Sequence, residues 1–347
     1  MTAGAELREL QARARRAEAV GFSGMVLTEA SRTAYLGAAA IALATDRLEV
    51  GTGIAVAFPR SPMVTACCAW ELAEASAGRF HLGLGTQVRA HVERRYGAAF
   101  DAPGPRMRDY ILAVRAVFRA FQGLERLDHH GPFYELTLLP SAWSPGPIDH
   151  PDIPIYVAAV GPWMLRMAGE VVDGIHVHPL HSRAYLDQTL LPAVAEGAAT
   201  SGRSADDIRL VVPVFTVVGN TEAEQEATRA MARSQIAFYG STRNYAHQFD
   251  LLGFEGTSAR LNERLKAGDT EGMAAIVTDE MLEHYAVTAT WDDLADRLVE
   301  RYAGVASRLV MYFAEPMCRR DPGLWERWGE VARAVRSRTG QAGPAGS

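Results

Sequence analysis

Short apolar runs alternate with helical periodicity along most of the chain, and that rhythm constrains its fold more than any single motif. Leu7, Leu10, Ala14 and Ala17 recur every three to four residues within a helix over 5–20, which Gly21 ends. A strand follows at 25–28, a helix at 34–45, a strand at 48–56 and a helix at 62–77. The buried run Phe80-His-Leu-Gly-Leu-Gly85 is next, then helices near 88–96 and 105–121. Residues 122–153 interrupt the rhythm with prolines, glycines and a hairpin-like segment at 133–139, which reads as an insertion. Strands at 154–159, 174–178 and 209–218 then alternate with helices at 162–170, 183–201 and 221–238. A mixed helical region over 243–303 precedes a last strand at 307–313 and a helix near 323–338. Alternation of this kind implies parallel strands joined by right-handed crossovers. Seven core strands emerge, and the chain opens in a helix. Two architectures remain open at this point: a barrel whose first strand is missing or replaced, or an open doubly wound sheet.

Composition narrows the chemistry. The 347 residues carry 35 basic and 41 acidic side chains, a net charge of −6. No clustered basic footprint for nucleic acid is present. Lys266 is the single lysine, so no Gly-Lys phosphate loop exists, and Schiff-base chemistry would fall to a residue in a polar stretch. Three cysteines form no disulfide framework, and Cys67 and Cys68 read as core residues. Apolar runs are too short to span a bilayer and no leader pattern opens the chain, so a cytoplasmic protein is expected.

In a parallel α/β protein the site lies at the carboxyl ends of the strands. The residues there are Glu29, Gly53-Ile54, the segment Ala57 to Arg60, Gly85 to His91, Ala158 to Pro162, and His176 to His181. Gly83-Leu-Gly85 and Gly51-Thr-Gly53 each resemble the start of a dinucleotide fingerprint but lack its third glycine, and strand-end glycines also serve packing. Ala159-Val160-Gly161-Pro162 opens a helix, and reads either as an anion site at the helix amides or as an ordinary strand-to-helix turn. His176 and His178, two apart in a strand, would face the same way, with His181 following. A ligand cavity lined by neutral imidazoles fits these histidines better than zinc, because no acidic ligand set or modified lysine accompanies them. No metal is expected. His129-His130 reads as surface, and Phe133, Tyr134 and Trp143 of the insertion are candidates for a lid.

Three stretches carry a family resemblance: Gly51-Thr-Gly-Ile-Ala-Val-Ala-Phe-Pro-Arg-Ser-Pro62, Ser76-Ala-Gly-Arg-Phe-His-Leu-Gly-Leu-Gly-Thr86, and Ile155-Tyr-Val-Ala-Ala-Val-Gly-Pro162 followed by Ala168-Gly-Glu-Val-Val-Asp-Gly174. Over residues 5–315 the chain resembles the luciferase-like monooxygenase superfamily, and within it the branch that uses the deazaflavin coenzyme F420. The resemblance implies a (β/α)8, TIM-barrel-like fold with the first strand missing or replaced. It implies one domain over 1–338, with a disordered tail at 339–347. A flavin-like ring would lie at the strand ends against Gly53 and Ile54, where the family often has a non-prolyl cis peptide. Gly85, Thr86 and Gln87 would flank the cofactor, and Ala159, Val160, Gly161 and Pro162 would hold its phosphate. Arg60, Arg89 or Arg95 would meet an acidic cofactor tail. Glu29, His91 and His178 are the candidates for proton transfer; His176, His181 and Arg60 are those for the substrate. Sugar- and alcohol-oxidising members place a histidine after the acidic residue, where this chain has Ala30, and a glutamate near Val88.

The activity so implied is hydride transfer between F420 and a small organic substrate. The alternatives are a monooxygenase using reduced FMN, and a non-catalytic barrel that serves as a binding or dimer partner. A homodimer is implied by the resemblance alone.

Overall fold

A computed structural model describes residues 4–340. In chain order the elements are α1 (Leu7–Val20), β1 (Gly24–Leu27), α2 (Ala34–Ala42), β2 (Glu49–Thr52), β3 (Ala55–Val56), α3 (Pro62–Ala75), β4 (Phe80–Gly85), α4 (Arg89–Arg94) and α5 (Pro103–Phe121). The short pair β5 (His129–His130) and β6 (Glu135–Leu136) follows, then β7 (Ile155–Ala158), α6 (Pro162–Val171), β8 (Gly174–His176), α7 (Arg183–Tyr185) and α8 (Leu191–Thr200). The remainder is β9 (Arg209–Val218), α9 (Glu222–Gly240), α10 (Ala246–Asp250), α11 (Thr257–Lys266), α12 (Thr270–Ile276), α13 (Asp279–Tyr285), β10 (Ala286–Ala289), α14 (Leu294–Tyr302), β11 (Arg308–Met311), α15 (Ala314–Arg320) and α16 (Leu324–Thr339).

Contacts divide these residues into two compact units. The first holds the described residues up to His176 together with Ala193–Leu210; the second holds Val177–Pro192 and the described residues from Val211 on.

In the first unit the strands are parallel in the order β1, β2, β4, β7, β8, with β3 also pairing β4. One ladder row runs Ala55, Leu84, Val157, Ile175 across four strands. Each chain then takes one more step, to Val56, Gly85, Ala158 and His176, before leaving the ladder. The strands are buried on both faces, as parallel strands under helices are. Local chemistry fixes the helices. Ser61 accepts a hydrogen bond from Val64 N and Pro62 opens α3. Gly21 stops α1 at φ 103°. Glu18 accepts from the amides of Asp46, Arg47 and Leu48, tying α1 to the entry of β2. Asp109, buried in α5, accepts from Phe133 N and Tyr134 N at 2.8 and 2.9 Å and meets His129 Nε2 at 2.9 Å. One carboxylate thus pins the β5–β6 hairpin.

The second unit is built on β9, a buried ten-residue strand that pairs in parallel with β11 along Val211–Val214 and with β10 along Phe215–Val218. Its core joins Phe215, Ile236, Phe249, Leu261, Tyr285 and Phe313. A capping box between Thr221 and Glu224 starts α9.

Several expectations need correction. The strand expected at 48–56 is two, because the chain leaves the ladder at Gly53 and Ile54. The helix expected at 183–201 is interrupted by a π-helical turn over Leu186–Leu190. The mixed helical region contains β10, whose four residues Ala-Val-Thr-Ala carry too little periodicity to stand out. The hairpin strands are His129–His130 and Glu135–Leu136, so His129 is half-buried on Asp109 and does not read as surface. Cys67 and Cys68 are half-buried, on the flank of the core. No strand precedes α1 among the described residues, and β1 has β2 as its one ladder partner there. The tail expected at 339–347 begins within α16, which runs to Thr339 with Gly340 as its cap, and its residues from 341 on lie outside the described residues.

Candidate active site

The first unit gathers most of the expected cofactor residues. The peptide Gly53–Ile54 is cis, at the position where the resemblance places it. Gly53 N donates to Leu27 O at 2.7 Å, Thr28 Oγ1 donates to Gly53 O at 2.9 Å, and Glu29 N donates to Ile54 O at 3.1 Å. The end of β1 therefore holds the break between β2 and β3. The side chain of Ile54 leans on Gly85, where a Cβ would come within 2.7 Å of it. Gln87 follows in the left-handed region at φ 58°, and its side chain accepts from Val88 N at 3.1 Å, shaping the turn into α4.

The glycines of the strands make room for imidazoles. A Cβ on Gly51 would lie 1.8 Å from His81 Nε2, and one on Gly83 would lie 1.8 Å from Thr52 O and 2.5 Å from His176 Nε2. Gly53 is closed by Val26 and His176. His81 and His176 stack with centroids 5.8 Å apart beside Tyr156. Both are buried, and neither Nε2 has a hydrogen-bond partner among the described residues. Burial lowers His81 to about 4 and His176 to about 3, so both rings are neutral near pH 7. Gly51, Gly53 and Gly83 thus serve packing around His81 and His176, while Gly85 meets Ile54. His81 was not singled out in the sequence, although a histidine inside an otherwise apolar strand is itself a signal.

At the exit of β7, Gly161 is the N-cap of α6 with φ −82° and ψ 155°, and no side chain caps the helix. Apart from its chain neighbours, no atom lies within 4 Å of where its Cβ would stand. Pro162 occupies the first turn, and the following first-turn amides have no carbonyl within the helix to meet. The turn therefore presents an open, uncapped helix start, while the strand glycines are crowded.

Glu29 is buried and committed. Its carboxylate accepts from Val56 N at 2.8 Å and from Arg60 through two nitrogens, one at 2.9 Å. The Arg60 guanidinium also donates to Val56 O and lies 5.1 Å over the Tyr35 ring. His91 is exposed on α4. Arg89 pairs with Glu93, and Arg95 donates to Ala30 O.

In the second unit, His178 accepts from Leu180 N through Nδ1 at 3.1 Å and packs against Tyr245 and Tyr239, with centroids at 4.1 and 4.9 Å. Burial among these groups lowers it to about 3. His181 is buried between His178 O and Tyr302 Oη, at 2.9 and 3.2 Å, and burial lowers it to about 4. The expectation that His176 and His178 share a strand face fails because β8 ends at His176. Beyond the strand, two-residue alternation no longer applies. Among the described residues, no group of three or more His, Cys, Asp or Glu is placed to hold a metal ion. No helix there is long and apolar enough to cross a membrane.

The parallel α/β fold places a glycine-lined break and an open helix start at its strand ends, the face where barrel enzymes of this class bind ligands. The chain belongs to the luciferase-like monooxygenase family, whose model matches residues 1–308. It is 38% identical over 293 residues to an uncharacterised protein of Mycobacterium tuberculosis, covering 84% of this chain and 86% of that one. It is 28% identical over 298 residues to the 5,10-methylenetetrahydromethanopterin reductase of Archaeoglobus fulgidus, covering 84% and 85%. The solved structure of the coenzyme F420-dependent tetrahydromethanopterin reductase of Methanopyrus kandleri superposes with a TM-score of 0.76 at 21% identity, covering 94% of this chain and 95% of that one. That likeness establishes the TIM-barrel-like fold.

Proposed function

We propose that this chain is an oxidoreductase that uses coenzyme F420 and moves hydride between it and a small organic substrate. The observation that carries the reading is the pairing of the Gly53–Ile54 break with the open start of α6 at Gly161, both beside parallel strands that pair with β4. The residues fit a phosphorylated ring cofactor. Gly161 leaves space where any side chain would intrude, and uncapped amides at a helix start favour a phosphate. The named reductases among the relatives and solved structures support F420 as the cofactor.

When bound, the deazaflavin supplies the hydride chemistry. The protein binds, orients and excludes water. Gly161 and its neighbours Ala159, Val160 and Pro162 would hold the phosphate; Gly85, Thr86 and Gln87 would border the ring. His176 would remain a neutral wall beneath the break, since its low pKa leaves no proton to give near pH 7. The same argument makes His178 and His181 hydrogen-bonding groups and not acids. Of the three expected proton-transfer groups, His91 is the one whose ring is exposed.

A titration of F420 followed by fluorescence quenching tests the reading. Wild type should bind, and Gly161→Asp should lose at least about tenfold in affinity, because a carboxylate would fill the space and repel the phosphate. Unchanged affinity would move the phosphate elsewhere. A second reading, a reduced-FMN monooxygenase, is favoured by the family's own description. Tight FMN binding with oxygen-dependent turnover would select it.

Homodimerisation belongs to the same proposal. Helix α2 is apolar throughout, yet Leu36 and the following Leu43 are 60% and 72% exposed, and Val64 on α3 is 50% exposed. Light scattering at micromolar concentration would report twice the 37.7 kDa chain mass. Monomers would leave this apolar surface unexplained.

A further inference from the structure

The break between β2 and β3 is held by an ion pair. Regular ladder pairing stops at Thr52 and resumes at Ala55. Most of the main-chain groups this interruption would strand are claimed by the end of β1. Gly53 N, Gly53 O and Ile54 O bond to Leu27 O, Thr28 Oγ1 and Glu29 N. At the exit, Val56 is gripped from both sides. Its N–H donates to Glu29 Oε2 at 2.8 Å, and its carbonyl accepts from Arg60 at 2.9 Å. Arg60 closes the ring by donating to both oxygens of Glu29. The two side chains are 4% and 19% exposed, so little water competes with these bonds. Tyr35, buried on α2, lies under the guanidinium.

Both oxygens of the Glu29 carboxylate are engaged, one of them by Val56 N as well as by Arg60. We infer that Glu29 and Arg60 are a positioning pair: by clamping the N–H and C=O of Val56 they fix the Gly53–Val56 main chain in the shape that receives the cofactor ring. The inference rests on the cofactor reading for what the clamp serves, but the clamp itself is a property of the protein alone.

Hydrogen exchange of the full-length protein without cofactor, resolved at Val56, tests the clamp. Glu29→Gln and Arg60→Lys should each speed exchange at this amide about tenfold, the loss of roughly one charge-assisted hydrogen bond, while amides of β9 keep their rates. Arg60→Lys retains charge but not the fork, so it serves if Glu29→Gln fails to fold. Unchanged exchange at Val56 in both variants overturns the clamp. F420 titration of the same proteins then tests its purpose. Both variants should bind about tenfold more weakly, by the same factor at pH 6 and pH 8. Faster exchange with wild-type affinity would overturn the positioning role, as would a defect confined to one side of that pH range, which marks a titrating group. If wild type itself fails to bind F420, the cofactor reading falls, and the exchange data still decide the clamp.

Discussion

Two kinds of glycine occur in the first unit, in its strands and at a helix start. Gly51, Gly53 and Gly83 are crowded: a Cβ on any of them would collide with His81, Val26, His176 or the backbone at Thr52. Gly161 is surrounded by open space. Both kinds look alike in the sequence, as glycines in or just after a buried strand. The first kind exists so that the protein can pack against itself. The second leaves a helix start free for something else. A glycine at a strand end is therefore not evidence of a ligand until its neighbours are known.

The widest separation between the two kinds should come from adding one methyl group to each. Gly83→Ala places a Cβ 1.8 Å from a backbone oxygen, which cannot swing away as a side chain could. It should cost several kcal/mol or prevent folding, as overpacking in a rigid core does. A melting temperature within a few degrees of wild type would show that the strands shift easily and would dissolve the distinction. Gly161→Ala should lie within about 0.5 kcal/mol of wild type, since its φ and ψ suit any residue and no atom is near. Marked destabilisation there would mean that the turn is structural after all.

Acid tests the crowded side by a different route. His81 and His176 have folded pKa values below the unfolded value near 6.5, so the unfolded chain binds more protons. Their contribution is fully present above pH 6.5. It is lost as the pH falls toward about 4 and then about 3. Between roughly pH 6 and 4.5 the pair should add about 2.5 kcal/mol of destabilisation per pH unit. Denaturant midpoints for His81→Phe should show a visibly shallower acid slope, and an unchanged slope would place that ring in contact with water. A smaller effect is expected far from both glycine classes. Arg89→Ala removes an exposed pair with Glu93 and should change stability by less than about 0.5 kcal/mol. A larger loss would reveal that its packing over Phe100 carries weight.

Much of the fold was legible because a buried parallel strand and an amphipathic helix write their periods locally. The runs 80–85 and 209–218 match β4 and β9, and Gly21 sits where α1 ends. β10 was not legible because its four residues lie among charged helices and have no period long enough to detect. Asp109 was missed for a related reason. Its signal, an acid on the buried face of α5, becomes meaningful only once the hairpin amides of Phe133 and Tyr134 are folded over it. The resemblance placed the cis peptide at Gly53–Ile54 correctly, but residue type alone left Glu29 as a free acid. Its partner stands 31 positions away at Arg60.

By itself, then, the sequence determined a parallel α/β chain with almost no lysine. Periodicity, caps and composition are local properties that survive without a fold. Tertiary structure decided which glycines are filled and which is open, that β8 stops before His178, and that Glu29 is bound to Arg60. Each of these depends on groups brought together across tens of residues, and no local pattern encodes the distance between them.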